Sequence, residues 1–251
     1  MTSIPSALSE PQGGSVLRRL ARWFSRHWFA TVMTLLVIWT GLPFLAPIAM
    51  HFGWTGLGTA IYSLYSLQCH QLPERSLFLF GSKAMYSLPE IQAAWVNTVD
   101  PLILRQFIGN PAMGWKVAWS DRMVAMYTSI PLLALVCYPF RRRIKPLPLW
   151  GFALLLLPLA LDGGTHMLSD LAGIGPGFRD SNAWLATLTG RVFPASFYAG
   201  DALGSFNSWT RLTSGVLFGI GIVWLAIPHL MDLFRDAGMH PAAENGSATG
   251  R

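Results

Sequence analysis

Four long stretches without a formal charge constrain this chain more than any other feature. A helix needs about 20 consecutive apolar residues to cross the hydrocarbon core of a bilayer. Stretches near this length are Trp28–Met50, Met123–Phe140, Leu147–Leu161 with a helical continuation to about Leu168, and Leu212–Met231. Charged residues make up only 12% of the chain, against roughly 25% in soluble domains. The pattern predicts an all-α, polytopic membrane helix bundle with four spanning helices, and it excludes a disordered chain and a soluble enzyme.

A fifth uncharged stretch, Phe52–Cys69, is rich in glycine, serine and tyrosine. We interpret it as a helix near residues 54–70 that either packs against the bundle or re-enters the membrane. It lies in the first of two long segments, residues 51–122 and 162–211, that connect the spans on the side we call outer. Both segments are expected to be long outer loops that fold over the end of the bundle.

Two clusters of basic residues set the expected orientation. They are Arg18, Arg19, Arg22 and Arg26 before the first span, and Arg141, Arg142, Arg143 and Lys145 after the second. Because Lys and Arg are enriched in cytoplasmic loops, both clusters and both termini are expected in the cytoplasm of a multi-pass protein of the cell membrane. Topology then accounts for the net charge of +6. The expected partner is therefore the lipid bilayer, not nucleic acid, since no basic-aromatic recognition motif is present.

The chain divides into three parts on this interpretation. Residues 1–27 form a cytoplasmic tail, residues 28–231 the membrane domain, and residues 232–251 a disordered cytoplasmic tail. Within the first part, Leu17, Leu20 and Phe24 recur at helical spacing among the arginines. This pattern fits either a cationic amphipathic helix on anionic lipid or a topology signal alone.

Polar residues gather in four places on the outer side: Cys69–Ser76, Trp119–Arg122, Asp162–His166 and region 182–215. The outer segments carry eight basic and eight acidic residues. Their arginines, Arg179 among them, are thus expected either in internal ion pairs or in recognition of an anionic headgroup. No catalytic residue is assigned. The candidate polar site, with a ligand-binding or a structural role, consists of Cys69, His70, Gln71, Glu74, Arg75, Asp121, Arg122, Asp162, His166 and Arg211.

Asp162 and His166 are an unusual pair for a spanning segment. They are four residues apart, so on a helix they share one face. The fifteen residues Leu147–Leu161 rise only about 22 Å, which leaves Asp162 inside a ~30 Å core. An acid at that depth indicates either an ion pair, with Arg122 or Arg211, or a site for a metal, a substrate or a proton. The candidate ligands of a divalent metal are Asp162, His166, His70 and Cys69.

Region 182–215 contains an internal echo. Asn182-Ala183-Trp184 leads to Thr189-Gly190, and Asn207-Ser208-Trp209 leads to Ser214-Gly215, at an offset of 25 residues. A tryptophan beside an asparagine suits the interface between lipid and water. The echo indicates either a structural duplication or a chance repeat.

The segment Cys69–Ser76 carries a family resemblance. Its pattern Cys-His-Gln-x-x-x-Arg-Ser resembles that of the domain of unknown function 2085 family, which comprises predicted integral membrane proteins of bacteria and archaea. Weaker motifs of the family align with Ser120–Tyr127, Asp162–His166 and Arg211–Gly219. The resemblance covers roughly residues 60–228 and implies a membrane protein without implying a particular activity.

This chain departs from the family pattern at two motifs. Ser120 and Met123 stand where the family has cysteines, and His166 stands where it has glutamine. The three family cysteines suggest a zinc or redox site, of which this chain keeps only Cys69. The resemblance therefore gives little support to a metal here.

Two functions remain open from the sequence. The outer clusters either form a polar site that binds or processes a membrane-derived ligand, with metal-assisted hydrolysis as the enzymatic version, or the protein is a non-catalytic subunit or assembly factor of a larger membrane complex. Transport ranks below both, because the four spans show no clear inverted repeat.

Overall fold

The computed structural model describes residues 13–239 of the chain. Helices account for most of this range. They are α1 (Gly13–His51), α2 (Thr55–Tyr65), α3 (Leu88–Ala94), α4 (Pro101–Leu104), α5 (Asp121–Cys137), α6 (Leu149–Asp170), α7 (Phe178–Ser181), α8 (Ala183–Leu188), α9 (Ala195–Tyr198) and α10 (Phe206–Met239). The strands are β1 (Ser76–Leu79), β2 (Gly109–Asn110) and β3 (Gly114–Ser120), and short 3-10 turns occupy Pro73–Arg75 and Tyr138–Phe140.

Four helices are long and apolar enough to cross a membrane. The segments that meet this condition are Trp23–His51, Asp121–Phe140, Leu149–Asp170 and Phe206–Phe234. Each contains one of the stretches selected from the sequence, or nearly all of it. The prediction of an all-α membrane bundle with four spanning helices is thereby confirmed.

The structure differs from the expected tails at the C-terminal end of the described range. The backbone of α1 leaves helical geometry at His27 (φ −116°, ψ 15°), so a kink separates the basic segment from the span. At the other terminus, α10 continues to Met239, and the ring of Phe234 stacks on Trp28 at 5.3 Å. Residues 232–239 of the expected disordered tail are therefore helical, and the contact of Phe234 packs the start of this segment against α1. Residues 1–12 and 240–251 of the two expected tails lie outside the described range.

Small residues let α10 pack closely against α5. A Cβ atom built on Gly219 would lie 1.9 Å from the Oγ atom of Ser129, and one on Gly215 would lie 2.8 Å from the Cβ atom of Ala125. Neither position has room for a side chain unless the helices separate. The close approach brings the start of α5 against the N-terminal part of α10, which matters for the site described below.

We expect Gly219→Ala to destabilise the protein by about 1–3 kcal/mol, the usual cost of overpacking. Gly164 of α6 is the matched control, because a Cβ there would meet nothing within 4 Å. Gly164→Ala should be neutral or slightly stabilising, since it removes a flexible residue from a helix interior. The midpoint of thermal unfolding in mild detergent measures both changes. Equal midpoints for the two variants would contradict the packing argument.

The strands form a small antiparallel sheet, in the order β1-β3-β2, that the sequence did not predict. Ser76 lies opposite Ser120, and Gly109 lies opposite Trp115. The first outer segment is thus partly folded as sheet rather than as a long loop. Strand β3 runs directly into α5, since Ser120 ends one and Asp121 begins the other. The sheet therefore fixes where α5 starts.

Helix α2 packs against α1 and β3. Its Tyr65 hydroxyl donates to the Trp39 carbonyl oxygen of α1 at 2.6 Å, and its Tyr62 hydroxyl donates to the Lys116 carbonyl oxygen of β3. Eleven residues rise only about 17 Å, short of a ~30 Å core. Of the two alternatives for this stretch, the structure has the packed helix.

Candidate functional site

Four arginines and four aspartates form a cluster at one end of the bundle, in two ion-paired groups that are linked by the hydrogen bond from the Arg122 backbone N–H to Asp121 Oδ1. We call it the arginine–aspartate cluster. Its members come from the first turn of α5, the second turn of α10, the second half of α6, the segment around β1 and the α6–α10 connection. They are Arg75, Asp121, Arg122, Asp162, Asp170, Arg179, Asp201 and Arg211. The formal charges balance, as the equal numbers of acids and bases in the outer segments suggested.

Arg211 is the centre of the deeper half of the cluster and is 1% exposed. Its Nε donates to both carboxylate oxygens of Asp121, at 2.8 and 2.9 Å. Its Nη1 donates to Asp201 Oδ1 at 2.5 Å, and its Nη2 donates to the Asp201 carbonyl oxygen at 2.7 Å. One guanidinium therefore joins α10, α5 and the connection that precedes α10.

Arg75 extends this half toward the sheet. It forms a bidentate pair with Asp170, at 2.6 and 2.8 Å, and its Nε donates to Asp201 Oδ2 at 2.7 Å. Burial alone would raise the pKa of Asp201, but the guanidinium groups of Arg75 and Arg211 outweigh it and hold that pKa well below its ordinary value. Asp201 is consequently a carboxylate shared by two cations.

Asp162 is the shared anion of the other half. Its Oδ2 accepts from Arg122 Nη2 at 2.8 Å, and its Oδ1 accepts from Arg179 Nη2 at 2.7 Å. The sequence named Arg122 or Arg211 as the partner; Arg122 is the one, and Arg179 joins it. Gly163 leaves room for the Arg122 guanidinium, because a Cβ atom at this position would lie 3.3 Å from Arg122 Nη1.

His166 lies beside this pair. Arg179 Nη2 is 3.1 Å from His166 Nε2, and Asp162 Oδ1 is 3.6 Å from the same nitrogen. Since a guanidinium only donates, Nε2 accepts and the ring proton of the neutral imidazole is assigned to Nδ1. That nitrogen is buried without a hydrogen-bond partner.

The two asparagines of the sequence echo meet at Arg179. The Nδ2 atoms of Asn182 and Asn207 both donate to the Arg179 carbonyl oxygen, at 2.6 and 2.7 Å. Asn182 Nδ2 also lies 3.1 Å from Asn207 Oδ1. The echo is not a structural duplication, because the first copy leads into the six-residue helix α8 and the second into the 34-residue α10. Its two copies converge on one arginine.

A groove between α6 and α10 opens beside Asp162. Its volume is about 620 Å³, within the range of small-molecule sites. Both tryptophans of the echo line it, together with a charged pair and several hydroxyl groups. The lining is Pro158, Leu161, Asp162, Thr165, Arg179, Trp184, Phe206, Trp209, Thr210, Thr213 and Ser214. We call it the α6–α10 groove.

The segment with the Cys-His-Gln pattern is mostly separate from the cluster. Cys69 Sγ accepts from the Gln71 and Ser120 backbone N–H groups, at 3.4 and 3.3 Å, so the thiol has a structural place under β3. His70 is exposed, and the Gln71 side chain donates to the Tyr62 carbonyl oxygen at 2.8 Å. Only Arg75 of this segment forms ion pairs with the cluster.

The predicted metal ligands are not assembled within the described range. Among residues 13–239 there is no group of three or more His, Cys, Asp or Glu side chains that could hold a metal ion. Asp162 gives both carboxylate oxygens to arginines, while Cys69 is held by backbone groups of its own segment and of β3. Of the set Asp162, His166, His70 and Cys69, the first two lie side by side and the other two have separate environments, so a metal at these residues stays a prediction.

Glu74, in the turn before β1, and Lys116, in β3, are both buried without forming an ion pair with each other. Both carboxylate oxygens of Glu74 lack a hydrogen-bond partner, whereas Lys116 Nζ donates to the Gln71 and Arg105 carbonyl oxygens at 2.6 and 2.7 Å. Burial raises the pKa of Glu74 to about 7 despite the nearby Arg75. Burial likewise lowers the pKa of Lys116 to about 7 despite Glu74.

Glu74→Gln is expected to change the pH dependence of stability between about pH 4.5 and 7. The folded state binds more protons than the unfolded state in this window, because the pKa of Glu74 is raised from 4.5 to about 7. The carboxyl group of Glu74 therefore makes its full contribution to stability below pH 4.5, and this contribution is lost as pH rises to 7. The melting midpoint of the wild type relative to the variant should fall across this window. Lys116 changes stability with the opposite sign, and only above pH 7. Parallel curves of melting midpoint against pH for the wild type and the variant between pH 4.5 and 7 would contradict the raised pKa of Glu74.

Sequence reasoning missed three members of the cluster, Asp170, Arg179 and Asp201, as site residues. The available signal was the charge balance of the outer segments and the placement of Arg179 just before the echo. It favoured ion pairs without naming partners.

The comparisons with known proteins agree with a membrane protein. Residues 111–225 match the model of DUF2085, a family described as predicted membrane protein, which confirms the resemblance for that range. The Cys-His-Gln pattern precedes it and is not supported by the match. The chain is also similar to the uncharacterized protein MJ1492 of Methanocaldococcus jannaschii, with 25% identity over 183 residues, 69% of this chain and 90% of that protein. No solved structure matches the chain.

Proposed function

We propose, from the premise that residues 111–225 match the DUF2085 family of predicted membrane proteins, that this protein binds the polar end of a membrane-derived amphipathic ligand in the α6–α10 groove. The observation that carries the proposal is the position of the Asp162–Arg179 pair in a groove between two spanning helices. Ionisable groups in a membrane segment are costly and commonly mark a functional site.

The walls of the groove suit a ligand with an apolar and a polar part. Trp184, Trp209 and Leu161 on its rim are 48%, 58% and 59% exposed, so the groove is open on the side where lipid surrounds α6 and α10. Tryptophan is favoured where lipid meets water. Thr165, Thr210 and Ser214 add hydroxyl groups near the charged pair. The arrangement offers an apolar entrance that leads to hydrogen-bonding groups.

The charge beside the groove favours an anionic headgroup. Arg122 and Arg179 share the single carboxylate of Asp162, which leaves one positive charge in excess within this half of the cluster. The Nε atoms of both arginines are buried without a hydrogen-bond partner. Guanidinium groups bind phosphate and carboxylate well, so a phosphate-bearing lipid satisfies the chemistry of this site.

We place the groove in the outer half of the cell membrane. Support comes from the two basic clusters, before the first span and after the second, which the preference of Lys and Arg for the cytoplasm assigns to the inner side. Both termini are then cytoplasmic, and the arginine–aspartate cluster lies at the opposite end of α5 from Arg142 and Arg143.

Thr213→Phe should fill the groove and reduce the lipid retained by the purified protein several-fold. Thr213 is exposed and lines the groove, so the added ring occupies ligand space without entering the core. The lipid that remains bound after purification in mild detergent is quantified by mass spectrometry. Leu132→Phe, at an exposed position of α5, is the control. Equal retention by wild type, variant and control would refute binding in the groove.

A second candidate function, a subunit of a larger membrane complex, is favoured by apolar side chains outside the spans. Val96, Val99 and Leu102 are 42%, 47% and 66% exposed in the connection between α3 and α4 and in α4 itself. Exposed apolar groups of this kind commonly mark an interaction surface. Native mass measurement after gentle extraction separates the candidates, because a lone protomer with bound lipid supports the first and a stable hetero-complex supports the second.

A further inference from the structure

A second cavity lies toward the opposite end of the bundle, between α5 and α10. Its volume is 420 Å³, within the range of small-ligand sites. The walls are Leu133, Cys137, Ile144, Ile220, Val223 and Trp224, with Arg143 and Lys145 beside them. Unlike the α6–α10 groove, it contains no acidic residue. We call it the basic cavity.

The connection between α5 and α6 closes one side of the basic cavity. Ile144 contributes an apolar side chain, and the Trp224 indole N–H donates to the Lys145 carbonyl oxygen at 3.0 Å. This bond holds the backbone of the connection against α10, so the backbone that carries the basic residues lies beside the cavity. Trp224 is 45% exposed, so the same ring also reaches the surface of the bundle.

The two basic residues of the cavity have no described anion to neutralise them. Neither Arg143 nor Lys145 forms an ion pair with an acidic residue in the described part of the chain. Both side chains are exposed. The neighbouring Arg141, in contrast, lies over the Tyr138 ring at 4.0 Å and donates to the Tyr138 carbonyl oxygen. Two available cations therefore border an apolar cavity between two spanning helices.

We propose that the basic cavity binds one anionic diacyl phospholipid, with an acyl chain between α5 and α10 and the phosphate at Arg143 and Lys145. Apolar walls accept the chain, and cations at their edge attract a negative headgroup, an arrangement that binds anionic lipids between membrane helices. Zwitterionic lipid gains the same apolar contacts without the net charge, so the site prefers anionic lipid. This site is independent of the α6–α10 groove.

Quenching of Trp224 by brominated lipid tests the proposal on the full chain in nanodiscs. Brominated phosphatidylglycerol or brominated phosphatidylcholine is titrated into a phosphatidylcholine bilayer, and the signal of the Trp224→Phe variant is subtracted. We expect half-maximal quenching at a lower fraction of the anionic lipid. Arg143→Gln and Lys145→Gln should each weaken that preference about fivefold, as expected from the attraction of one basic residue to anionic lipid.

Arg142→Gln is the matched control, because it removes the same charge from the same connection at a position that does not line the cavity. It should leave the preference nearly unchanged. Equal quenching by the two brominated lipids, or an Arg142→Gln effect as large as that of Arg143→Gln, would overturn the proposal. The second result would assign the preference to the general charge of this end of the bundle.

Discussion

Arg211→Gln is expected to lower the free energy of unfolding by about 3–5 kcal/mol, because it leaves the buried carboxylates of Asp121 and Asp201 without their common partner. Both acids are at most 4% exposed. Glutamine has similar length but no charge and cannot reproduce four guanidinium hydrogen bonds. The melting midpoint in detergent should fall by roughly 10 °C.

Arg191→Gln provides the matched control for this result. Arg191 belongs to the same connection before α10 but is exposed, and the change should leave the melting midpoint nearly unaltered. If Arg211→Gln melted like Arg191→Gln, the cluster would contribute little to holding α10 against α5. The ion pairs would then be a consequence of helix packing that is already complete without them.

The spanning helices were predictable because lipid imposes a simple rule on composition. Segments such as Met123–Phe140 need only length and the absence of charge to be recognised, and the structure has helices there. The sheet was not predictable in the same way. Strand β2 has two residues, and β3 is buried along most of both faces, so neither shows the alternation that identifies a strand.

Half of the arginine–aspartate cluster was predictable because its residues stand at the ends of spans. Asp121, Arg122 and Asp162 interrupt or flank apolar stretches, and the topology places them at one end of the bundle. Arg75 was named from its motif, but the pairs that it forms join residues that are far apart in sequence. Arg75 reaches Asp201 over 126 positions, a distance at which no local spacing signals a pair.

The Cys-His-Gln segment shows that residue type alone does not indicate where a side chain lies. Cys69 and His70 have side chains that bind metals, but adjacent residues in a chain do not generally face one site. The structure buries the thiol under β3 and exposes the imidazole. Arg75, chemically the least distinctive as a metal ligand, is the residue of that segment that joins the cluster.

Asp162→Asn should also destabilise the protein by about 3–5 kcal/mol, because Arg122 and Arg179 lose the one carboxylate that they share. The amide retains the size of the side chain but not its charge. In the groove half of the cluster, the positive excess then rises from one to two. If the groove binds an anionic headgroup, added phosphatidylglycerol should restore part of the lost melting temperature, and it should stabilise this variant more than the wild type.

Asp170→Asn distinguishes this outcome from a general effect of anionic lipid. Asp170 lies on the same helix and pairs with Arg75 in the other half of the cluster, so its loss also removes a carboxylate that is paired with an arginine, but it does not line the groove. Phosphatidylglycerol should rescue Asp162→Asn and leave Asp170→Asn largely unrescued. Equal rescue of both variants would mean that the lipid acts on the whole protein, and the Asp162–Arg179 pair would then be a structural link between α6 and the segment before α10.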